Sequence, residues 1–514
     1  MKRFLSAMVG CCVLLASCKV GPDYKPEKMP ISRQFASAKY QDPTKEQLDA
    51  TARELKTWWA RFNDPVLNAL IARAVAGNYD LQAATQHIMA AQAYKMQVQA
   101  QWYPHLSVNA GGGNTRYSTA IDNWPLRPFH RDGPGRYNTE HTGPGKYADA
   151  AIMTWGATGG WILDIFGQIA REVESQQHMV QATIAQRRAV LLGILSGVAS
   201  DYIALRTIQE RLGVVENSIR TAHQSTDMAQ RMFANGVGNS LSVSQALAEE
   251  HSERARLPVL LAQQQHMIHA IAILMGEMPG TLEPALERRQ KMPHQPAFPA
   301  ALPSTVLENR PDIQEAQQVY AASMARIGMA VADLYPHFSV PITFDPNASA
   351  FSEMFTLYGM AWNFLLMASV PVLDGGRITS EILQARAAAE GSRLGYRQTV
   401  LDAFGQVEDT MTDWQQDNVQ VQERLAAANQ ATLARDQAQE LYAAGLTPFL
   451  DVLNTQQNAL SAQESAVITR GARLHDAVAL YVAMGEGWQG YRGQTELPIQ
   501  RNGGPSIIER AFMR

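Results

Sequence analysis

Cysteine is almost missing from this chain: 514 residues hold three, Cys11, Cys12 and Cys18, all crowded at the N-terminus. No disulfide framework can be drawn across the body of the sequence, so it must be held by packing or by assembly. An excess of one charge is missing too, and a formal net charge of −4 gives no nucleic-acid footprint. Beyond residue 20, no stretch reads as the roughly 20 apolar residues that a membrane helix needs. Histidine is sparse, and its closest set, His266 and His269, stands on a helical pattern with no Cys or acid beside it. That spacing could share a metal, but a solvated helix face is the simpler reading. Gly111-Gly112-Gly113 lacks a following Lys-Ser/Thr and is not a phosphate loop. Met228 and Met232 form an i, i+4 pair whose expected role is packing. No catalytic constellation, metal site or cofactor site emerges, and no enzyme is expected.

What is present begins with a targeting segment. Lys2 and Arg3 precede the apolar run Phe4 to Leu15 and then Ala16-Ser17-Cys18. Leu15-Ala16-Ser17-Cys18 resembles the bacterial lipobox, which implies cleavage after residue 17 and acylation of Cys18 at the mature N-terminus. The alternative is an ordinary secretory signal with a chance cysteine. Several buried acyl chains anchor firmly, at about 0.8 kcal/mol per methylene. Lys19 after the cysteine fits an outer-membrane destination.

The body of the chain is written twice. Phe233-Ala234-Asn235-Gly236-Val237 returns as Tyr442-Ala443-Ala444-Gly445-Leu446, an offset of 445 − 236 = 209. Met275-Gly276-Glu277 returns as Met484-Gly485-Glu486 at the same offset, and Gly167 as Gly376. Trp102-Tyr103-Pro104-His105 is echoed by Leu334-Tyr335-Pro336-His337 at 336 − 104 = 232, so the first copy carries 232 − 209 = 23 extra residues before Gly167. These fall in the Gly- and Pro-rich stretch between Asn123 and Gly145, which reads as a long hairpin loop. Repeats of this length are duplicated structural units.

Proline is absent from Gly167 to Gly236 and from Gly376 to Gly445, and both stretches are rich in helix formers. Each predicts one helix of roughly 100 Å, too polar to stand without neighbours. Shorter helices are expected near Ser244 to Met275 and Val452 to Met484, with Pro258 kinking the first. Others are expected near Pro65 to Gln101 and Thr305 to Asp333. Between them the period turns to two: Met153, Trp155, Ala157, Gly159, Trp161 and Leu163 share one strand face, while Phe338, Val340, Ile342 and Phe344, then Tyr358, Met360, Trp362 and Phe364, alternate in the second copy. This pattern suits a membrane barrel wall or a half-buried soluble hairpin. Four strands cannot close a barrel, so the barrel reading requires self-assembly.

Trp58-Trp59-Ala60-Arg61-Phe62-Asn63-Asp64-Pro65-Val66-Leu67, Asn309-Arg310-Pro311-Asp312-Ile313, Tyr335-Pro336, Pro371-Val372-Leu373-Asp374-Gly375-Gly376 and the turn from Tyr442 to Leu453 occur in an order that resembles the outer-membrane efflux lipoproteins of the TolC/OprM superfamily, the outer membrane factors of NodT type. The resemblance implies a homotrimer of mixed fold. Four strands per chain would close one transmembrane β-barrel, continued by a long periplasmic α-helical barrel with a small mixed equatorial domain. On that scheme residues 1–17 are the signal peptide and 18–63 the lipid anchor with an equatorial segment. Residues 64–276 are the first repeat with hairpin 104–165, 277–303 an equatorial linker, 304–485 the second repeat with hairpin 336–373, and 486–514 an equatorial tail.

The resemblance further implies an exit duct of a tripartite efflux pump for drugs or other toxic small molecules. Its partners would be a periplasmic adaptor and an inner-membrane transporter of the resistance-nodulation-division type. The two glycine turns would be its inner end. Tyr442, Thr447, Asp451 and Asn454 match the periplasmic gate, and Gly236, Val237, Gly238, Gly445 and Leu446 the adaptor-docking tips. Three copies of Asp451 could form an acidic ring, or Asp451 is a helix-start acid favoured by the dipole. Thr447 stands near where some relatives carry a charge, so packing and hydrogen bonding at Tyr442 would replace a charged latch. A duct for a metal or protein exporter, or a non-conducting periplasmic coiled-coil lipoprotein, are the alternatives.

Overall fold

The computed structural model describes residues 19–27, 29, 55–118, 147–297, 306, 308–348, 355–356 and 360–491. Cys18, the Asn123-to-Gly145 stretch and Tyr358 lie outside them. In chain order the elements are α1 (Pro65–Gly77), α2 (Tyr79–Gln99), β1 (His105–Ser118), β2 (Tyr147–Leu163), α3 (Gln168–Ala234), α4 (Ser240–Leu274), α5 (Pro311–Ala332), β3 (His337–Phe344), β4 (Asn347–Ala348), β5 (Trp362–Phe364), β6 (Met367–Ser369), α6 (Arg377–Ala443) and α7 (Phe449–Ala483). The duplication is preserved in length: α3 and α6 have 67 residues each, α4 and α7 have 35 each. α4 runs through Pro258 without ending there.

The chain folds into two compact units. The first comprises Met1–Pro26, Ala90–Val180 and Gln318–Arg393. Its sheet is antiparallel in the order β1-β2-β3-β5, with β4 on β2 and β6 on β3. Among the described residues, these six segments reduce to four strands. β3 and β4 pair with β2 in one register, Phe344 opposite Ala157 and Asn347 opposite Thr154, and the gap between them holds Asp345 and Pro346. β5 and β6 likewise share one register against β3, with Phe364 opposite Ile342 and Met367 opposite Ser339. Their gap faces Pro341, which has no N–H to give the ladder. β1 thus pairs with β2, and β3 with β5 and β6, as alternating strands should, and among the described residues proline interrupts the second pairing and not the first. Val108, Trp362, Phe364 and Leu366 are exposed on this sheet.

Equivalent aspartates cap the long helices in this unit. Asp164 accepts from the amides of Ile169 (3.1 Å) and Ala170 (2.8 Å), and Asp374 from those of Gly376 and Ile378 (both 2.9 Å). These backbone donors hold the exposed Asp374 carboxyl below its usual range.

The second unit comprises Glu27–Met89, Gln181–Gln317 and Leu394–Arg514. Its main core gathers Trp58, Phe62, Leu67, Ile71, Leu191, Leu195, Val198, Tyr202, Ala477, Tyr481 and Trp488. Trp58 stacks on Tyr481 with centroids 5.4 Å apart and donates to the carbonyl of Glu486 at 3.1 Å. Asp64 caps α1 at Val66 (2.9 Å) and Leu67 (3.2 Å) while accepting from Tyr202 Oη at 2.7 Å.

Two expectations need correction. α3 and α4 each carry an 18-residue window apolar enough to cross a membrane, with mean hydropathy 1.5 and 1.2. Half of the α3 window is buried inside the protein. Leu191, Leu195, Val198 and Ile203 of α3 pack in the second unit's core, so apolarity here belongs to a core helix. The helix expected from Pro65 to Gln101 breaks at Asn78, which is extended at φ −63°, ψ 128°. Its buried side chain accepts from Leu81 N at 3.0 Å and donates to Leu274 O at 2.8 Å, capping α2 and tying it to the end of α4.

Candidate functional site: the paired glycine turns

The two glycine turns lie in the second unit and are built alike. Gly236 (φ 75°) and Gly445 (φ 74°) adopt the left-handed conformation that ends a helix without a Cβ penalty. In the first, Gly236 N donates to Phe233 O and Val237 N to Met232 O, both at 3.0 Å. In the second, Gly445 N donates to Tyr442 O and Leu446 N to Leu441 O, both at 2.9 Å. These are matching Schellman closures. Each leaves one aliphatic side chain at its tip, Val237 at 73 % exposure and Leu446 at 74 %.

The turns then diverge. α4 starts on Asn239, whose Oδ1 accepts from the amide and hydroxyl of Ser242 at 2.8 and 2.9 Å. α7 starts on Pro448, which offers no side-chain cap. There Thr447 Oγ1 donates to Asp451 Oδ2 across the first turn. Asp451 and Asn454 are exposed, and Thr447 is half-buried. Among the described contacts, Asp451 therefore supports its own helix start through Thr447, with its carboxylate still open to solvent.

Tyr442 is placed differently from the other three gate candidates. It is buried with Phe449, Val452, Ala229, Ala246 and Ala438 in a small core joining both turns. Its ring meets Phe449 edge-to-face, centroids 5.3 Å apart at 63°. Met228 and Met232 pack on this core. Ser225 of α3 accepts from Gln456 of α7 and from Gln439 of α6, the latter at 3.3 Å. Beside it an open groove of about 330 Å³ is lined by Asp227, Arg231, Asn235 and Ala443 as well as the two methionines.

Sequence reasoning missed a band of charge further along the same helices. Glu464 of α7 accepts from Arg256 of α4 and from Arg211 of α3 at 3.4 Å. Glu250 accepts from His223 at 3.1 Å and Arg254 at 2.5 Å. Burial pushes the Glu250 carboxyl up, but Thr226, Arg254 and His223 together hold it below its usual value. Burial dominates at Glu253 and raises it. The signal available was Glu250 and Glu253 at i, i+3, followed at once by Arg254 and Arg256.

His269 Nε2 lies 3.3 Å from Oε1 of Glu283, the first residue of the short helix Glu283–Leu286, so the expectation of no acidic company was wrong. Sequence distance hid an acid that the chain reversal supplies. Gly111-Gly112-Gly113 sits in β1 opposite Thr154, Met153 and Ile152, as plain strand. Among the described residues, no group of three or more His, Cys, Asp or Glu side chains is placed to hold a metal ion.

Comparison with known proteins adds to this geometry. The model of the outer membrane efflux protein family matches residues 70–277 and 302–486, the two repeats in turn. The cation efflux system protein CusC of Escherichia coli is 27 % identical over 483 residues, covering 93 % of this chain and 98 % of that protein. The pyoverdine export outer membrane protein OpmQ of Pseudomonas aeruginosa is also 27 % identical, covering 95 % and 97 %. The solved outer-membrane channel OprN superposes with a TM-score of 0.79 at 25 % identity, over 92 % of this chain and all of that one.

Proposed function

The chain belongs to the outer membrane efflux protein family, and we propose that it is the passive exit duct of a tripartite efflux pump. The observation that carries this reading is the pairing of an open sheet with long helices. Among the described residues the sheet has β1 at one edge and β5 with β6 at the other. In lipid such edges must be closed, and four strands are too few. Three chains would supply twelve strands, which suffice. The exposed face of α6 favours the same assembly: Leu394, Leu401, Val419, Leu433 and Leu441 recur at near-whole numbers of helical turns. A second copy is the natural cover for this face.

On this reading the sheets form the outer-membrane barrel and the helices a periplasmic tunnel of roughly 100 Å. The glycine turns are the tunnel's inner end. Val237 and Leu446, with Gly236, Gly238 and Gly445 shaping the backbone beneath them, receive the periplasmic adaptor. Asp451, Thr447 and Asn454 line the constriction, with Tyr442 supporting it from behind. The partner in the inner membrane is a transporter of the resistance-nodulation-division type, which supplies energy and selects substrate. CusC and OpmQ carry names for different cargoes, consistent with a duct that selects little. The Cys18 thiol carries the lipid anchor. Purified protein in planar bilayers tests the duct: stepwise conductance is expected, and a mass three times that of the mature chain by light scattering.

A further inference from the structure

Residues 19–24 of the first unit form a strap bound by one buried cation. Arg171 of α3 is 1 % exposed in its side chain. Its Nε donates to Val20 O at 3.0 Å, and its Nη2 to Gly21 O at 3.2 Å and Asp23 Oδ1 at 2.8 Å. Nη1 donates to Glu174 Oε2 at 2.9 Å, and Lys19 Nζ reaches the same oxygen at 3.3 Å. Val20 N donates to Phe166 O at 3.3 Å, and Tyr24 packs edge-on against Tyr320 at 5.4 Å.

Two glycines make the approach fit. Gly21 has φ +88°, and a Cβ there would lie 2.5 Å from Gly328 Cα; a Cβ on Gly328 would lie 2.8 Å from Arg171 Cδ. Burying a guanidinium this fully is costly unless its donors are matched. Here the matching acceptors come largely from the strap, so Arg171 and the strap stabilise each other's burial.

The surroundings point to lipid. Trp102, Trp161, Ile162, Leu334 and Tyr335 are exposed near the foot of the sheet, and Trp161 Nε1 donates to Trp102 O at 2.8 Å. Aromatic side chains of this kind favour a membrane–water interface. We propose that Arg171 is the positioning residue of the lipid anchor. It seats the chain that follows Cys18 against the first turn of α3, so that acyl chains on that cysteine enter the bilayer beside the β1–β2 hairpin instead of on a free tether. This inference rests on the reading of Cys18 as acylated.

Limited trypsin digestion of the full-length, detergent-solubilised protein tests it, followed by mass spectrometry of the N-terminus. Cleavage after Lys19 releases the acylated Cys18-Lys19 dipeptide, and Lys25 is protected by the proline that follows it. In the wild type the Lys19–Val20 bond is expected to resist. In Arg171→Gln it is cleaved on the order of tenfold faster or more, because cleavage follows the open population and the variant loses charge-assisted hydrogen bonds. Gly21→Ala leaves every helix intact by sequence and is expected to release the dipeptide similarly, with unchanged helical circular dichroism; it keeps the test decisive if Arg171→Gln misfolds. Equal cleavage rates in wild type and Gly21→Ala overturn the seat while leaving the acylation reading standing. Absence of acyl mass on wild-type Cys18 sinks both.

Discussion

Arg310 donates from Nη1 to the carbonyl oxygen of Ala483 at 2.8 Å. Asn78 makes the same reach to Leu274 O, also at 2.8 Å. The donors are 310 − 78 = 232 residues apart and the acceptors 483 − 274 = 209, the two offsets of the sequence repeat. The duplication thus extends to a polar joint between two helix ends, made by different side chains. Arg310 is buried and also donates to Asp312 and Gln406. Arg310→Ala is expected to cost about 2 to 3 kcal/mol by stranding buried acceptors, and Asn78→Ala about 1 to 2 kcal/mol. Thermal unfolding of both variants checks the order; equal or negligible shifts contradict it.

At the second glycine turn, Tyr442→Ala removes a ring buried against Phe449. The expected cost is roughly 3 kcal/mol of local stability, whereas Tyr442→Phe keeps the ring and should change less than about 1 kcal/mol. Hydrogen exchange of the amides from Ala438 to Val452 resolves this. Faster exchange in Tyr442→Phe as large as in Tyr442→Ala would assign the support to the hydroxyl instead of packing.

The second unit should lose stability as pH rises through neutrality. Burial raises Asp476 from its ordinary value to about 7, aided by the hydrogen bond and charge of Asp417 and the charge of Asp413. The folded state therefore binds more protons than the unfolded state between about pH 4 and 7, and stability falls across that window as the proton leaves. Burial lowers the Arg473 guanidinium, which the charge of Asp417 partly offsets, and the neighbouring His475 imidazole. Burial keeping His475 neutral works in the opposite direction, lowering stability at acid pH. Asp476→Asn should flatten the decline in melting temperature from pH 5 to pH 8, and an unchanged decline would remove Asp476 as its source.

Much of this was legible beforehand because it rests on local chemistry. Proline-free runs of helix formers gave α3 and α6, and Gly236 and Gly445 gave the turns that end them. Alternating strands and Tyr-Pro pairs gave the two hairpins. What escaped depends on partners distant in sequence. Asn78 breaks a helix because a carbonyl 274 − 78 = 196 residues away completes its cap. Arg171 looks like a surface arginine until residues 20–23 fold onto it. Tyr442, grouped with Asp451 and Asn454 by the family resemblance, is buried under the turn while they are exposed.

The lipid anchor has its own check. Cys18→Ala is expected to abolish acyl-chain mass from the N-terminus while leaving the helical fold intact. An unmodified N-terminus in the wild type contradicts the anchor.

Single-channel recording in planar bilayers tests the duct most directly. If the turns constrict the inner end as proposed, the wild type shows small, infrequent openings. Asp451→Ala should raise open probability or conductance and weaken cation preference, as expected on removing an acidic ring. Absence of stepwise conductance from the wild type, Asp451→Ala and Tyr442→Ala alike, with protein shown to be folded and inserted, would contradict the duct.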